Sequence, residues 1–184
     1  HAMNEGLIPA RYAKALYKVA CNQKNDADIY QMMKSLEQSF SQQPLLQSTL
    51  GNPYVSNSDK TNLLITAADV TKGGKALFCD FIKLLSDNKR MDMARGIANA
   101  YIALYRSNHS IYEVKVVSAA PVGNNEQKRL RDMVSRHLKG GTMEYSTSVN
   151  PDLIGGFTVS VGNERIDASI SNELKQLRLN LISK

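Results

Sequence analysis

Residues 150–170 read NPDLIGGFTVSVGNERIDASI. Asn150, Pro151 and Asp152 form a turn signal, and Gly155–Gly156 free the backbone just ahead of an alternating run. In that run Phe157, Val159 and Val161 oppose Thr158 and Ser160, the period of a half-buried strand. Gly162–Asn163 is a two-residue hairpin signal, so RIDA at 165–168 is expected to return antiparallel to FTVSV. The chain then closes on a helical stripe of Ile170, Leu174, Leu177 and Leu181. The stretch holds no His, no Cys and no nucleophile paired with a base. It is specified for shape.

Working backward, MEYSTSV at 143–149 alternates as a strand, and Gly140–Gly141 stop a helix expected over 124–139 with Leu130, Met133, Val134 and Leu138 inward. IYEVKVVS sets Tyr112, Val114 and Val116 against Glu113 and Lys115, and Pro121 and Gly123 end that strand. The character differs before Asn108. Helices are expected over 9–21, over 26–40 behind an Asn25–Asp26 cap, over 44–50, from a Ser56 or Ser58 cap to about 70, over 73–88 and over 91–107. The predicted fold class is therefore α+β in two domains. Residues 3–107 form an N-terminal all-α bundle of about six helices, and residues 108–184 a small C-terminal α+β domain of order β-α-β-β-β-α.

With 42% hydrophobic residues the chain can bury a core, and no apolar run reaches the roughly 18 residues of a membrane span. There is no signal-peptide pattern, and His1–Ala2, ahead of Met3, read as a remnant of expression. Cys21 and Cys79 are too few and too far apart for a disulfide framework, and His1, His109 and His137 share no metal-ligand spacing, so no metal site is expected. The net charge of +6 raises nucleic acid or an anionic surface as partners. It is spread evenly: residues 1–105 carry 12 basic and 9 acidic side chains, residues 106–184 carry 11 and 8. One cluster, Lys128, Arg129, Arg131, Arg136 and Lys139, lies on a single helix without interleaved aromatics, and a solvated face is the preferred reading.

TKGGKA at 71–76 invites a phosphate-loop reading and fails it. Asp69 stands where the first glycine is needed and Ala76 where Ser or Thr must follow the lysine. DLIGGF leads into a strand, not into a helix terminus whose amides could hold an anion. GxSxG, HExxH and GxGxxG are absent, so neither catalytic residues nor cofactor-binding residues are predicted.

Helix 9–21 carries an excess of apolar surface. Ala13, Tyr17 and Ala20 form one strip and Tyr12, Ala15, Leu16 and Val19 a second beside it, together about twice the arc a surface helix needs. Helix 74–88 turns Leu77, Phe78, Phe81, Ile82 and Leu85 one way and sets Leu84 on a flank near Asp80. Helices central to a bundle would read this way, and so would a groove for a partner helix; the pattern does not choose.

The opening stretch closely resembles the C-terminal signature of the delta subunit of F-type ATP synthases, called the oligomycin-sensitivity conferral protein in mitochondria. RYAKALYKVA, NPYVS with a following lysine, FIKLLSDNKRMDM and VKVVSAAPV agree in the same order, nearly end to end. Asn150 stands where an Asp usually precedes the proline, Ala168 where a Gly usually follows Asp167, and HLKGGTMEY lacks the usual basic Gly-Lys linker. The resemblance implies a non-catalytic stator connector without cofactors. Its helical bundle would sit on the catalytic head and grip the N-terminal helix of an alpha subunit, and its C-terminal domain would bind the b subunits of the peripheral stalk. It further implies a chain peripheral to the cytoplasmic face of the bacterial inner membrane, not inserted in it, monomeric when isolated, and taking no nucleic acid. Joined to the helix pattern, it selects Tyr12, Ala15, Leu16, Val19 and Leu84 as the walls of a shallow channel and Asp80 and Lys83 as its rim. The alternative is a basic nucleic-acid-binding module using helix 128–139.

Overall fold

The computed structural model describes residues 6–70, 73–138, 140–153 and 157–162, and among these six α-helices precede the first strand. They are α1 (Leu7–Asn22), α2 (Asp26–Gln42), α3 (Pro44–Leu50), α4 (Asn57–Ala67), α5 (Lys75–Asp87) and, after a 3-10 turn at Met91–Met93, α6 (Ala94–His109). The chain separates into two compact units, His1–Ser107 and Asn108–Lys184.

In the first unit α1 opens with Pro9 in its first turn, where a missing N–H costs no helical bond, and buries Pro9, Ala13, Leu16 and Ala20 as one stripe. Small residues let α6 come close: a Cβ on Gly96 would lie 3.2 Å from Pro9 Cγ. Lys24 takes φ +58°, and its N–H and that of Asn25 donate back to Cys21 O and Ala20 O at 3.1 and 2.7 Å. This closes α1 in a Schellman turn without glycine. Lys89 repeats the device after α5 at φ +57°, with Arg90 N donating to Leu85 O.

α2 is the central helix, burying Ile29, Tyr30, Met32, Met33, Leu36 and Phe40. Asn25 sits at its N-cap without a side-chain bond, while Asp26 and Asp28 in the first turn favour the positive end of the helix dipole. Ser35 and Ser39, one turn apart on α2, both donate to Ala67 O at 3.0 Å and so satisfy the last carbonyl of α4. At the other end of α4, Ser56 Oγ accepts from Asp59 N at 3.1 Å. Arg95 of α6 grips Glu37 of α2 with two N–H donors at 3.0 and 3.2 Å.

Tyrosines tie α1, α2 and α6 together. Tyr17 meets Tyr101 and Tyr105 edge-on at 5.7 and 6.5 Å, and Tyr30 stacks on Tyr105 at 4.1 Å. Tyr101 is fully buried and donates to Asp26 O at 2.8 Å. Burial, and then the bond to the Cys21 side chain, push the Tyr17 hydroxyl up to about 12; burial raises Tyr101 further.

In the second unit the described elements are β1 (Ile111–Ser118), α7 (Asn124–His137), β2 (Thr142–Val149) and β3 (Phe157–Val161), in sheet order β2-β1-β3. β1 runs parallel to β2, from Ile111↔Thr142 to Ser118↔Val149, and antiparallel to β3, from Val114↔Val161 to Ser118↔Phe157. α7 supplies the crossover that a parallel pair needs and packs Leu130, Met133 and Val134, with Leu138 beyond its end, on Val114, Val116 and Val161. β2 and β3 flank β1, roughly 10 Å apart, and β2 ends and β3 begins at the Ser118 end of β1. Asn150 follows β2 there, donating its N–H to Ser118 O and accepting Asp152 N on its side-chain oxygen. The backbone freed at Gly155–Gly156, the RIDA strand and the terminal helix lie outside the described residues. The described part is thus a helical bundle followed by a small α+β region, as the fold class required.

Candidate partner-binding surface

Among the described residues no three His, Cys, Asp or Glu side chains are placed to hold a metal, and no helix is long and apolar enough to cross a membrane. The failed phosphate loop has a physical account. Gly74 caps α5 at φ +74°, and a Cβ on Gly73 would lie 2.5 Å from Asp28 Oδ2. The glycines let the start of α5 close on α2, and a carboxylate stands where a phosphate would have to approach.

The apolar excess of α1 resolves into two parts. Leu16 is a correction to the sequence reading: it is 3% exposed and shares the face of Ala13 and Ala20 at i+3 and i+7, so it fills the core and cannot wall a channel. Tyr17 leaves that strip for the tyrosine cluster. The remainder, Tyr12, Ala15 and Val19, lies on the adjoining flank. Tyr12 is half-buried, Ala15 exposed and Val19 41% exposed.

α5 divides the same way. Phe78, Phe81, Ile82 and Leu85 are buried, Leu84 is 46% exposed, and Asp80 and Lys83 are exposed. Tyr12 joins the two flanks: its ring meets Phe81 edge-on at 6.3 Å and its hydroxyl accepts from Asn88 Nδ2 at 3.0 Å. On a helical wheel Phe81 and Asn88 lie beside Leu77 and Leu84, so Tyr12 meets α5 near its Leu84 edge. Asp80 stands one turn before Leu84, and Lys83 is one step further toward solvent. Leu77 is half-buried on the Leu84 flank, not fully within the core group where its spacing placed it. Asn88 had no signal in the sequence, because its partner is 76 residues away.

The basic helix is α7. Its exposed side carries Lys128, Arg129, Arg131 and Arg136, interrupted by Asp132, and its buried side holds Leu130, Met133 and Val134. Arg131 lies over the Tyr145 ring at 4.8 Å. Burial raises the Tyr145 hydroxyl, the nearby Arg131 charge opposing it.

The family model described as ATP synthase delta (OSCP) subunit matches residues 8–181. The chain is similar to the ATP synthase subunit delta of Parabacteroides distasonis, 38% identical over 180 residues and 98% of both chains. It is 34% identical to that of Bacteroides thetaiotaomicron over 182 residues, 99% of this chain and 97% of the relative. A chain in the Toxoplasma gondii mitochondrial ATP synthase hexamer shares the fold, with TM-score 0.66 at 21% identity over 95% of this chain and 97% of that one. The chain belongs to the ATP synthase delta (OSCP) subunit family and is a structural, non-catalytic component of that complex.

Proposed function

We propose that this chain is a stator connector. Its first unit holds the N-terminal helix of an alpha subunit on the flank formed by Tyr12, Ala15, Val19 and Leu84, with Asp80 and Lys83 at the rim. Its second unit receives the b subunits of the peripheral stalk. Together they hold the catalytic head still while the rotor turns, from the cytoplasmic face of a bacterial inner membrane and without inserting in it.

One observation carries the helix-binding part. Tyr12 is locked to Phe81 and Asn88, and on the same helix faces, Val19 of α1 and Leu84 of α5 stay 41% and 46% exposed, so apolar surface is left uncovered on both flanks of that contact. An amphipathic helix with apolar anchors at i, i+3, i+4 and i+7 fits such a surface. Burying it removes apolar area from water at about 25 cal/mol per Å² before the cost of association. Asp80 and Lys83 tune encounter and register more than affinity.

The test is a calorimetric titration of the alpha-subunit N-terminal peptide from the same organism into the full chain and into a fragment of residues 3–107. Saturable binding to both supports the reading. Binding to neither sinks it, and a fragment without cooperative melting would show that the proposed domains share one core.

A further inference from the structure

The second unit offers a different kind of surface from the first. Thr142 N and Asn150 N, at the two ends of β2, donate to Ser110 O and Ser118 O at 2.9 and 2.8 Å. Backbone polar groups alternate along a strand. Those of Glu144, Ser146 and Ser148 therefore turn toward β1, and those of Met143, Tyr145, Thr147 and Val149 turn outward. Among the described residues no strand pairs with that outer edge. Ser146, Thr147, Ser148 and Val149 are all exposed, Val149 at 50%, so this half of β2 is open on both faces as well as at its edge.

Sheet edges are ordinarily protected by lysine, proline, a bulge or a covering element. Residues 145–149, YSTSV, have no charge and no proline, and their pairing to β1 runs unbroken to Val149. Among the described residues nothing guards this edge. Beside it stands positive charge: Arg131 lies 4.8 Å from the Tyr145 ring centroid, and Lys128 is exposed one turn earlier on the same flank of α7. Edge pairing of two copies would bring two such cationic flanks together, which argues against a second copy as the occupant.

We propose that the outer edge of β2 is a docking site for an extended acidic segment of a partner protein, added as a further strand. Its backbone would bond Thr147 and Val149, and its carboxylates would lie on the α7 face, toward Arg131 and Lys128. Backbone bonds supply the affinity in such additions, and side chains beside the edge select the sequence.

The probe is a fluorescein-labelled octapeptide alternating glutamate with valine, titrated into the full chain by anisotropy, with amide hydrogen exchange read at residues 143–149. The proposal expects saturable binding and slow exchange at Thr147 and Val149 only in the complex. Arg131→Glu should weaken binding roughly tenfold. Thr147→Pro should abolish it while leaving the inward ladder to β1 intact. The same peptide N-methylated at every residue removes the backbone donors for either strand direction with the protein unaltered, and should not bind. Equal binding by the N-methylated peptide would overturn the proposal, as would equal binding by a lysine–valine peptide. Slow exchange at Thr147 and Val149 in the free chain would show the edge already covered by the chain itself. Dimerisation of the free chain that is blocked by Thr147→Pro would make a second copy the occupant. Displacement of the bound peptide by a DNA oligonucleotide that also binds the Thr147→Pro variant would return α7 to a nucleic-acid role.

Discussion

Changing Ala15 to Asp tests whether the flank of α1 is an interface or merely surface. In the free chain Ala15 is exposed, so the carboxylate stays in water. Mid-helix Asp costs about 0.6 kcal/mol of propensity relative to Ala. Exposed Arg11 and Lys18, at i−4 and i+3, return part of that at about 0.2–0.5 kcal/mol each. The net change is a few tenths of a kcal/mol, and melting should move by only ~2 °C for a unit of this size. Binding is different. A partner helix laid on Tyr12, Val19 and Leu84 covers Ala15 and strips water from the new carboxylate. An unpaired buried charge of this kind costs about 3 kcal/mol or more, which is about a hundredfold in Kd. Isothermal titration of the alpha-subunit N-terminal peptide into wild type and variant, with thermal melts of both, reads the two effects separately. Equal affinities would refute the location of the site. A variant that unfolds would refute the assignment of Ala15 to the surface.

Leu16→Ala should do the reverse, lowering stability by about 2–5 kcal/mol in urea melts because a buried side chain is lost, while peptide affinity of the folded fraction is retained. Lys24→Gly and Lys89→Gly should each stabilise the first unit by about 0.5–1 kcal/mol, since both lysines hold positive φ in a closing turn; unchanged urea midpoints would mean those turns carry no strain. Tyr17 is raised to about 12, so its contribution to stability is complete below pH 10 and is lost as pH rises from 10 toward 12. Alkaline melts of Tyr17→Phe should show a shallower fall over that window, and parallel curves would remove Tyr17 from the account.

What the sequence made legible follows from where the information lies. Val114 and Val116 on β1, and Leu130, Met133 and Val134 on α7, are fixed by periods of 2 and 3.6, and all are buried as the periods required. The cap at Ser56 is local chemistry and stands where it was expected. Pairing is not local. Alternation in MEYSTSV marks a strand but does not name its neighbour, and the parallel β1–β2 ladder depends on the crossover through α7. The turns at Lys24 and Lys89 carry no glycine, so nothing in the letters announces positive φ. The candidate site was half legible for a related reason. A wide apolar arc states how much surface a helix keeps from water, while the neighbouring helices decide which edge of the arc is core. Leu16 fell on the core side and Tyr12 on the other, where Phe81 and Asn88 hold it.

The chemical emptiness of residues 150–170 then has a mechanical reason. On the proposed connector role, a part that must link two others under torque gains nothing from an activated nucleophile and loses from any strained or hydrated pocket near its joints. What it needs is a backbone that cannot slip. β1 is paired on both sides, the β2–β3 connection is pinned at Asn150 to the last residue of β1, and α7 covers the face that would otherwise let the strands slide. Register is enforced by burial, because a one-residue slip of β1 would put Glu113 and Lys115 in the positions of Val114 and Val116. In the first unit the same stiffness comes from Arg95 on Glu37, two serines on one carbonyl and a tyrosine cluster across three helices. On the proposed role, load entering either unit meets paired backbone and packed side chains, and Val19 and Leu84 in one unit and Thr147 and Val149 in the other are left exposed where the proposed partners would dock.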